Sequence, residues 1–266
     1  MIITIDTERN LFQVSDAAGA REYGLFSPEA FQILSRHWMA LGWNLHHSFT
    51  LSFMGRQFIQ FPDDMLRSGE LVWRSHPDVI LETGVYDGGS TLFWAMLCRM
   101  RSHGRVISIE KNFRPGVREA VLEAAGDLVT LVEGDASSVE VADRVRREIR
   151  EGERVCVFLD SDHSAKHVAA ELNHFSALVA PGCYIVVSDS NMPDVAHTPR
   201  ARAAVGGANL EPHPWLSDSP ARAVDEFLAV HPEFRRERPV PLFPEAKFDF
   251  TELSYCPETW LKRRES

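Results

Sequence analysis

The sequence has 266 residues, of which 44% are hydrophobic and 25% are charged, as is ordinary for a soluble globular protein with one large domain. No apolar stretch reaches the length of a membrane span, and the first residues, MIITIDTERN, lack the basic-then-apolar order of a secretory signal, so we expect a cytoplasmic protein without a membrane partner. The formal net charge of -10 argues against nucleic acid as a partner, because binding to phosphates needs clustered Lys and Arg.

Residues 1–62 are predicted to form a helical extension ahead of the main domain. Residues 1–15 alternate weakly in polarity around one polar turn, which predicts a short hairpin. A helix is predicted from Pro28 to about Trp43, because the capping hydroxyl of Ser27 precedes a proline and apolar residues follow at helical spacing. We interpret this extension as a candidate lid or a candidate contact between subunits.

Residues 63–266 are predicted to form the main domain, because nearly uninterrupted apolar strands alternate there with helices. The predicted strands lie at 78–82, 105–110, 128–133, 154–160 and 183–188, with two more at 234–238 and 251–255. The predicted helices lie at 63–75, 90–101, 115–125, 138–150, 165–179 and 220–230. This alternation is typical of a parallel sheet covered on both faces, so the predicted fold class is α/β, with a Rossmann-like, doubly wound and mostly parallel sheet.

A glycine-rich turn follows the first strand of this domain, in the stretch PDVILETGVYDGGST at 77–91. Its spacing differs from the GxGxxG of dinucleotide-binding proteins, because Tyr86 occupies the place of the second glycine. The acidic strand end at Glu82 and the looser glycine spacing favour a cationic or zwitterionic nucleoside over a diphosphate. The alternative is that Gly84 and Gly88 serve only a tight turn between strand and helix.

The next two strands also end in carboxylates, at Glu110 and in the EGD that contains Asp135. Ligands of such sheets bind beyond the carboxyl ends of the strands, where the first acid can accept the ribose hydroxyls and the second can meet the adenine amine. Unless both are ordinary loop acids, S-adenosylmethionine fits these three strand ends. The predicted cofactor-binding residues are Glu82, Gly84, Tyr86, Gly88, Ser90, Glu110, Asp135 and Asp160.

Two further carboxylates, Asp160 and Asp189, end the fourth and fifth strands. Neighbouring parallel strands place their carboxyl ends together, so we expect these acids to lie close enough to share a cation. Without a cation they would repel each other, and the pKa of one would rise. Oxygen ligands favour Mg²⁺, or another hard divalent ion, over zinc.

His163 follows Asp160 by three residues and is placed to take a proton from an acceptor hydroxyl held by such an ion. His163 and Asp160 are therefore the predicted catalytic residues. The alternative for His163 is a place in a hydrogen-bonded turn. His167, one helical turn further along the chain, is predicted to lie on the surface of its helix.

These motifs together resemble the cephalosporin hydroxylase / rhamnosyl O-methyltransferase family of class I S-adenosylmethionine-dependent enzymes. The segments that carry the resemblance are GRQFIQFPDDM, PDVILETGVYDGGS, GRVISIE, EGD, FLDSDHSAKHVAAEL, LVAPGCYIVVSDSN, SPARAVDEFLAVHPEF and CPETWLKR, which cover the chain from about residue 55 nearly to its end. The resemblance implies a Rossmann-like methyltransferase fold, S-adenosylmethionine as cofactor, a divalent ion and an assembly of identical subunits.

The resemblance also implies roles for particular residues. The methionine and adenosine contacts of the family fall on Gly84, Glu110 and Asp135, and its metal acids fall on Asp160 and Asp189. This chain departs from the family where a glutamate commonly precedes the second metal acid, because Ser188 stands there. A neighbour such as Asn191 would then complete a weaker metal site, and the alternative is that the metal is absent.

The predicted function is a Mg-assisted O-methyltransferase that acts on a hydroxyl of a small specialised metabolite, such as a sugar moiety or a polyketide-like natural product in antibiotic biosynthesis. The acceptor pocket is predicted in the 190–218 loop, with His197, His213 and Trp215, under a lid that includes Trp43. The alternative for these aromatic residues, and for Trp43 equally, is core packing. A nicotinamide-dependent oxidoreductase is disfavoured because GxGxxG is absent. The alternative that Ser188 keeps open is an accessory subunit that binds the cofactor without methyl transfer.

Overall fold

The computed structural model describes residues 1–206, 212–240, 242–243, 245 and 253–265. At its N-terminus, strands β1 (Ile2–Asp6), β2 (Leu11–Asp16) and β3 (Gly19–Gly24) form an antiparallel sheet in chain order. The first two strands confirm the predicted hairpin. The third strand escaped prediction because most of its side chains are exposed and show no apolar alternation.

The predicted N-terminal helix is confirmed as α1 (Pro28–Asn44). Its first turn is capped by Ser27, whose hydroxyl accepts a hydrogen bond from the backbone N–H of Ala30 at 3.2 Å. The helix packs on the small sheet through a cluster that contains Phe12, Val14 and Ala30, separate from the main core. The extension therefore has a small core of its own.

The elements that follow α1 are β4 (Ser52–Phe53), β5 (Arg56–Gln57), α2 (Pro62–Ser75), β6 (Val79–Thr83), α3 (Gly89–Arg101), β7 (Arg105–Glu110), α4 (Val117–Ala125), β8 (Val129–Glu133), α5 (Val139–Glu148), β9 (Val155–Leu159), α6 (Ala165–Phe175), β10 (Tyr184–Val187), α7 (Met192–Val195), α8 (Pro199–Ala204), α9 (Pro220–Val230), β11 (Phe234–Arg236) and β12 (Trp260–Arg263). The main sheet has seven strands in the order β11-β12-β10-β9-β6-β7-β8. Strands β6 to β10 run parallel, and β12 pairs antiparallel with both β10 and β11. The predicted doubly wound, mostly parallel α/β fold is thus confirmed.

The last strand of the sheet corrects one prediction. A strand was predicted at 251–255, but 251–252 lie outside the described residues and 253–255 are not in a strand. The final strand is β12, which lies between β10 and β11. Only Trp260 and Leu261 of β12 are buried, and two basic residues follow them, so the segment lacks the apolar run that marked the other strands.

The sheet topology determines where a ligand can bind. The chain moves from β6 to β7 and β8 on one side, then returns to place β9 on the other side of β6. Between β6 and β9 the chain connections therefore diverge, which opens a crevice at the carboxyl ends of the strands. The helices within the described ranges include none with the length and apolar character of a membrane span.

A buried carboxylate connects α2 to the C-terminal part of the chain. Asp64 is 2% exposed, and its two oxygens accept hydrogen bonds from the Ser254 hydroxyl and the Tyr255 backbone N–H, both at 2.6 Å. Burial raises the pKa of Asp64 from the ordinary 3.8 to about 6, although these hydrogen bonds lower it. Folding therefore favours the protonated form of this acid.

We expect the stability of the wild type, relative to the Asp64→Asn variant, to fall as the pH rises from about 4 to about 7. Because its folded pKa is raised, the contribution of Asp64 is fully present below its unfolded pKa and is lost as the pH rises through about 6. Across this pH range, the free energy of unfolding of the wild type should fall by ~3 kcal/mol relative to that of the Asp64→Asn variant. Urea unfolding of both proteins across this pH range measures that difference, and a pH-independent difference would contradict the prediction.

Candidate active site

A cavity of about 640 Å³ lies at the carboxyl ends of the parallel strands, beside the point where the strand order reverses. Ligands bind at this position in open α/β sheets. The N-terminal part of the chain contributes to its wall through Trp43, Phe49 and Gln60. The predicted site residues that line the cavity are Gly84, Tyr86, Ser90, Glu110, Asp135, Asp160, His163 and Asp189.

The glycine that follows β6 allows two strand ends to approach each other closely. Gly84 has a φ of +86°, and a Cβ added there would lie 2.0 Å from the backbone oxygen of Asp160. Asp160 in turn donates its backbone N–H to the carbonyl oxygen of Thr83 at 3.0 Å. Both the backbone conformation and this close approach require glycine at this position.

The carboxylate of Glu110 holds the glycine-rich turn in place. Its Oε2 accepts hydrogen bonds from the backbone N–H groups of Val85 at 3.0 Å and Tyr86 at 2.9 Å. Its Oε1 accepts one from the backbone N–H of Asn112 at 3.2 Å. Glu110 therefore joins the end of β7 to the turn after β6 while it lines the cavity.

Asp135 is an ionised group at the same end of the cavity. Its Oδ2 accepts a hydrogen bond from the Lys111 ammonium at 2.7 Å, and its Oδ1 accepts one from the Ser137 hydroxyl at 2.6 Å. The bond from Lys111 is the main reason that the pKa of Asp135 lies below its ordinary value. A carboxylate fixed in this way can accept a further hydrogen bond from an amine.

Two predicted cofactor contacts are absent from the cavity wall. Glu82 is 2% exposed and accepts hydrogen bonds from Thr91, Trp94 and Ser108, so it links the end of β6 to α3 and β7. Burial raises the pKa of Glu82, and the surrounding donors lower it. Gly88 faces α4, since a Cβ there would lie 2.5 Å from a methyl carbon of Val121.

The structure brings together the residues predicted for chemistry. Asp160, His163 and Asp189 each offer a donor atom, and these atoms all lie within 4.8 Å of one another. The Nε2 of His163 is 3.2 Å from an oxygen of Asp189. Burial, then the negative charges of Asp189 and Glu82, raise the pKa of Asp160 well above its ordinary value. Two close carboxylates in a partly buried site suit a hard divalent ion, which would relieve their repulsion.

The third metal ligand was predicted to be Asn191, and this stays a prediction. The structure places His163 beside the two acids. Asn191 is 5% exposed and does not line the cavity. Its Oδ1 is enclosed without a hydrogen-bond partner in the described part of the chain. Ser188, where the chain departs from the family pattern, hydrogen-bonds Asp160.

His167 was predicted on the helix surface, and this prediction is wrong. The side chain lines the cavity, with its Nε2 3.0 Å from the hydroxyl of Ser161 and 3.5 Å from the fully buried Glu171. The bond with Glu171 is the main reason that the pKa of His167 is raised. His167 therefore lies on a face of α6 that is turned toward the cavity.

The other half of the cavity is aromatic. Trp43 and Trp215 make an edge-to-face contact with ring centroids 5.6 Å apart, and Phe49 and Tyr255 also line this part. The predicted contributions of Trp43 and Trp215 to the cavity are therefore confirmed. Two other predicted pocket residues do not line it, because His197 is exposed and His213 is buried with its Nδ1 accepting a hydrogen bond from a backbone N–H.

Several cavity residues were missed by the sequence analysis, above all Gln60 and Arg200. Gln60 donates its amide N–H to Asp160 at 2.5 Å. It follows the β4–β5 hairpin, which sits against the start of α3 so closely that a Cβ on Gly89 would lie 2.4 Å from the backbone oxygen of Gln57. In the sequence, Gln60 could have been connected with the site only through its position in GRQFIQFPDDM, one of the segments that carry the family resemblance.

Comparisons with known proteins identify the family of this chain. The family described as rhamnosyl O-methyltransferase/CmcI matches residues 46–264. A curated rhamnosyl O-methyltransferase of Mycobacterium leprae is 27% identical over 76% of this chain and 80% of its own length. One of Mycobacterium bovis is 28% identical over 53% of this chain and 57% of its own length.

A solved structure of CmcI, described as a complex with Mg and SAM, aligns with a TM-score of 0.51 at 18% identity. The alignment covers 82% of this chain and 78% of that chain. At this level of identity the likeness establishes the fold alone.

Proposed function

This chain belongs to the rhamnosyl O-methyltransferase/CmcI family, and we propose that it transfers the methyl group of S-adenosylmethionine to a hydroxyl of a small specialised metabolite with the help of a divalent ion such as Mg²⁺. One observation carries the proposal: the cluster of Asp160, His163 and Asp189 lines the same cavity as Gly84 and Asp135. A methyl donor and a hydroxyl activated by that cluster could therefore meet within one cavity.

The cofactor would occupy the end of the cavity beyond β6, β7 and β8. Gly84 leaves room for the methionine part, Glu110 is placed to accept the ribose hydroxyls, and Asp135 is placed to accept the adenine amine. The CmcI structure described as a Mg-SAM complex supports this assignment by analogy of fold. Glu82 and Gly88 would act indirectly, by holding the turn and α3 in place.

Asp160 and Asp189 would hold the ion, since Mg²⁺ commonly binds proteins through one or two carboxylates and retains several waters. When bound, the ion would lower the pKa of an acceptor hydroxyl. His163 is then the base that takes the hydroxyl proton, and Asp189, 3.2 Å from its Nε2, is placed to orient the ring. Gln60 positions Asp160 through its hydrogen bond.

The acceptor would occupy the aromatic half of the cavity, under Trp43 and Trp215. Aromatic rings stack on sugars and on flat apolar rings alike, and the mycobacterial relatives are named for a sugar acceptor. A sugar moiety or a polyketide-like product is therefore the proposed acceptor. The accessory-subunit alternative is not favoured, because Asp160 and Asp189 lie together despite Ser188, and His163 lies beside them where a base is needed.

Calorimetric titration tests this function. We expect S-adenosylhomocysteine to bind the protein at least about 100-fold more tightly than NAD does, because the turn lacks the backbone approach that a pyrophosphate needs. We also expect MgCl₂ to stabilise the protein against heat through Asp160 and Asp189. Binding of NAD, or of neither nucleotide by folded protein, would contradict the proposal.

A further inference from the structure

One cation in the acceptor half of the cavity has no countercharge among the residues that the structure describes. Arg200, in α8, lines the cavity with its guanidinium carbon 4.1 Å from the ring centroid of Trp43 and 4.6 Å from that of Phe49. Its Nη1 donates a hydrogen bond to the backbone oxygen of Trp43 at 2.5 Å. These contacts hold the guanidinium against the aromatic wall.

The other cations of the cavity are placed differently. Lys111 pairs with Asp135 at 2.7 Å, and Arg114 lies over the ring of Tyr86 at the cofactor end. Among the described residues, Arg200 has no carboxylate within ion-pair distance. Burial lowers the pKa of its guanidinium, and Tyr255 and Asp189 oppose that shift without an ion pair. If Asp189 holds a cation, its part of that compensation is lost. A partly buried positive charge of this kind is costly unless a ligand pairs with it.

The unused donors of Arg200 have a defined geometry. Its Nε and Nη2 make no hydrogen bond within the part of the chain that the structure describes, whereas Nη1 is occupied by Trp43. Nε and Nη2 lie along one edge of the planar guanidinium, where two parallel N–H groups match the two oxygens of a carboxylate. A single amide or hydroxyl would use only one of these donors.

We propose that the methyl acceptor is a hydroxylated carboxylic acid whose carboxylate pairs with the Nε and Nη2 edge of Arg200. Its hydroxyl lies at Asp160 and Asp189, and its body packs against Trp43 and Trp215. This inference rests on the proposed function. It goes beyond that function because it names the charge and the recognition group of the acceptor, and it assigns Arg200 as the residue that selects it.

The competing explanation is that Arg200 is purely structural. It joins α8 to the end of α1, because its backbone N–H donates to the side chain of Asn44 at 3.0 Å while its Nη1 bonds to Trp43. A structural role would affect folding and every ligand of the acceptor half equally. A recognition role would affect acids more than their neutral esters, so the ratio of the two affinities separates the explanations.

The experiment measures binding of matched acids and esters to protein saturated with S-adenosylhomocysteine and MgCl₂. The probes are 3,4-dihydroxybenzoate and caffeate, which differ in the distance from hydroxyl to carboxylate, and the methyl ester of each. We expect at least one acid to bind the wild type at least about tenfold more tightly than its ester does, because only the acid can form charge-assisted hydrogen bonds with Arg200. The Arg200→Gln variant should lose this preference, and Arg200→Lys should keep only part of it.

Arg202→Gln is the matched control, because Arg202 lies on the same helix but does not line the cavity. This variant should keep the ratio of acid to ester affinity that the wild type shows. Equal binding of acid and ester, or binding of neither acid by a protein that binds S-adenosylhomocysteine, would overturn the inference. If Arg200→Gln fails to fold, the ratio of acid to ester affinity in the wild type and in Arg200→Lys still separates a recognition role from a structural one. Failure to bind S-adenosylhomocysteine would instead be a failure of the proposed function.

Discussion

Replacement of His163 by alanine is expected to lower kcat by about 10²- to 10⁴-fold, the usual contribution of a general base. His163 lies on the cavity wall within the cluster that includes Asp160 and Asp189, and its Nε2 is 3.2 Å from Asp189. No other described imidazole shares that cluster. Without the ring, the proton of the acceptor hydroxyl must pass to water, so methyl transfer slows while cofactor binding persists.

The measurement is the rate of S-adenosylhomocysteine formation with an accepted substrate, together with the affinity of each protein for S-adenosylhomocysteine. His37→Ala is a suitable control, because His37 lies on α1 and does not line the cavity. The His163 variant should bind the nucleotide as the wild type does. Equal turnover in His163→Ala and the wild type would show that His163 is not the base. A loss of affinity for S-adenosylhomocysteine in His163→Ala would give His163 a binding role instead.

The Asp160→Asn variant is expected to change stability in opposite directions with and without Mg²⁺. Without the ion, Asp160 is destabilising because burial and the nearby charge of Asp189 oppose its ionisation, so its neutral isostere should raise Tm at neutral pH. With the ion, the wild type should gain stability through carboxylate ligation and the variant should not. We expect kcat/KM to fall at least about 100-fold in the variant, as loss of ion-assisted charge stabilisation implies.

Thermal melts with MgCl₂ and with EDTA test this prediction. Asp189→Asn should likewise abolish the stabilisation by Mg²⁺. Asp162→Asn is the control, since Asp162 lines the same cavity but its carboxylate bonds to Ser164 and lies outside the three-donor group. A stabilisation by Mg²⁺ that survives in both Asp160→Asn and Asp189→Asn would show that the ion binds elsewhere.

The alternation of strands and helices could be predicted because its cause is local. The strand at Arg105–Glu110 and the helix at Pro220–Val230 have the predicted bounds, since an apolar run or a proline after a serine needs no distant partner to be recognised. The parallel sheet then brings its carboxyl ends together. For this reason the sequence by itself determined that Glu110, Asp160 and Asp189 would share one edge.

Only the tertiary structure decided which side chains near that edge face the cavity. Gln60 reaches Asp160 across 100 positions of the chain, and Arg200 meets Trp43 across 157. Glu82 lies at a predicted strand end yet bonds to α3 and β7 without lining the cavity, whereas His167 lies on a helix and lines it. Side-chain direction depends on how distant elements pack against one another, and that packing leaves no periodic trace in the sequence.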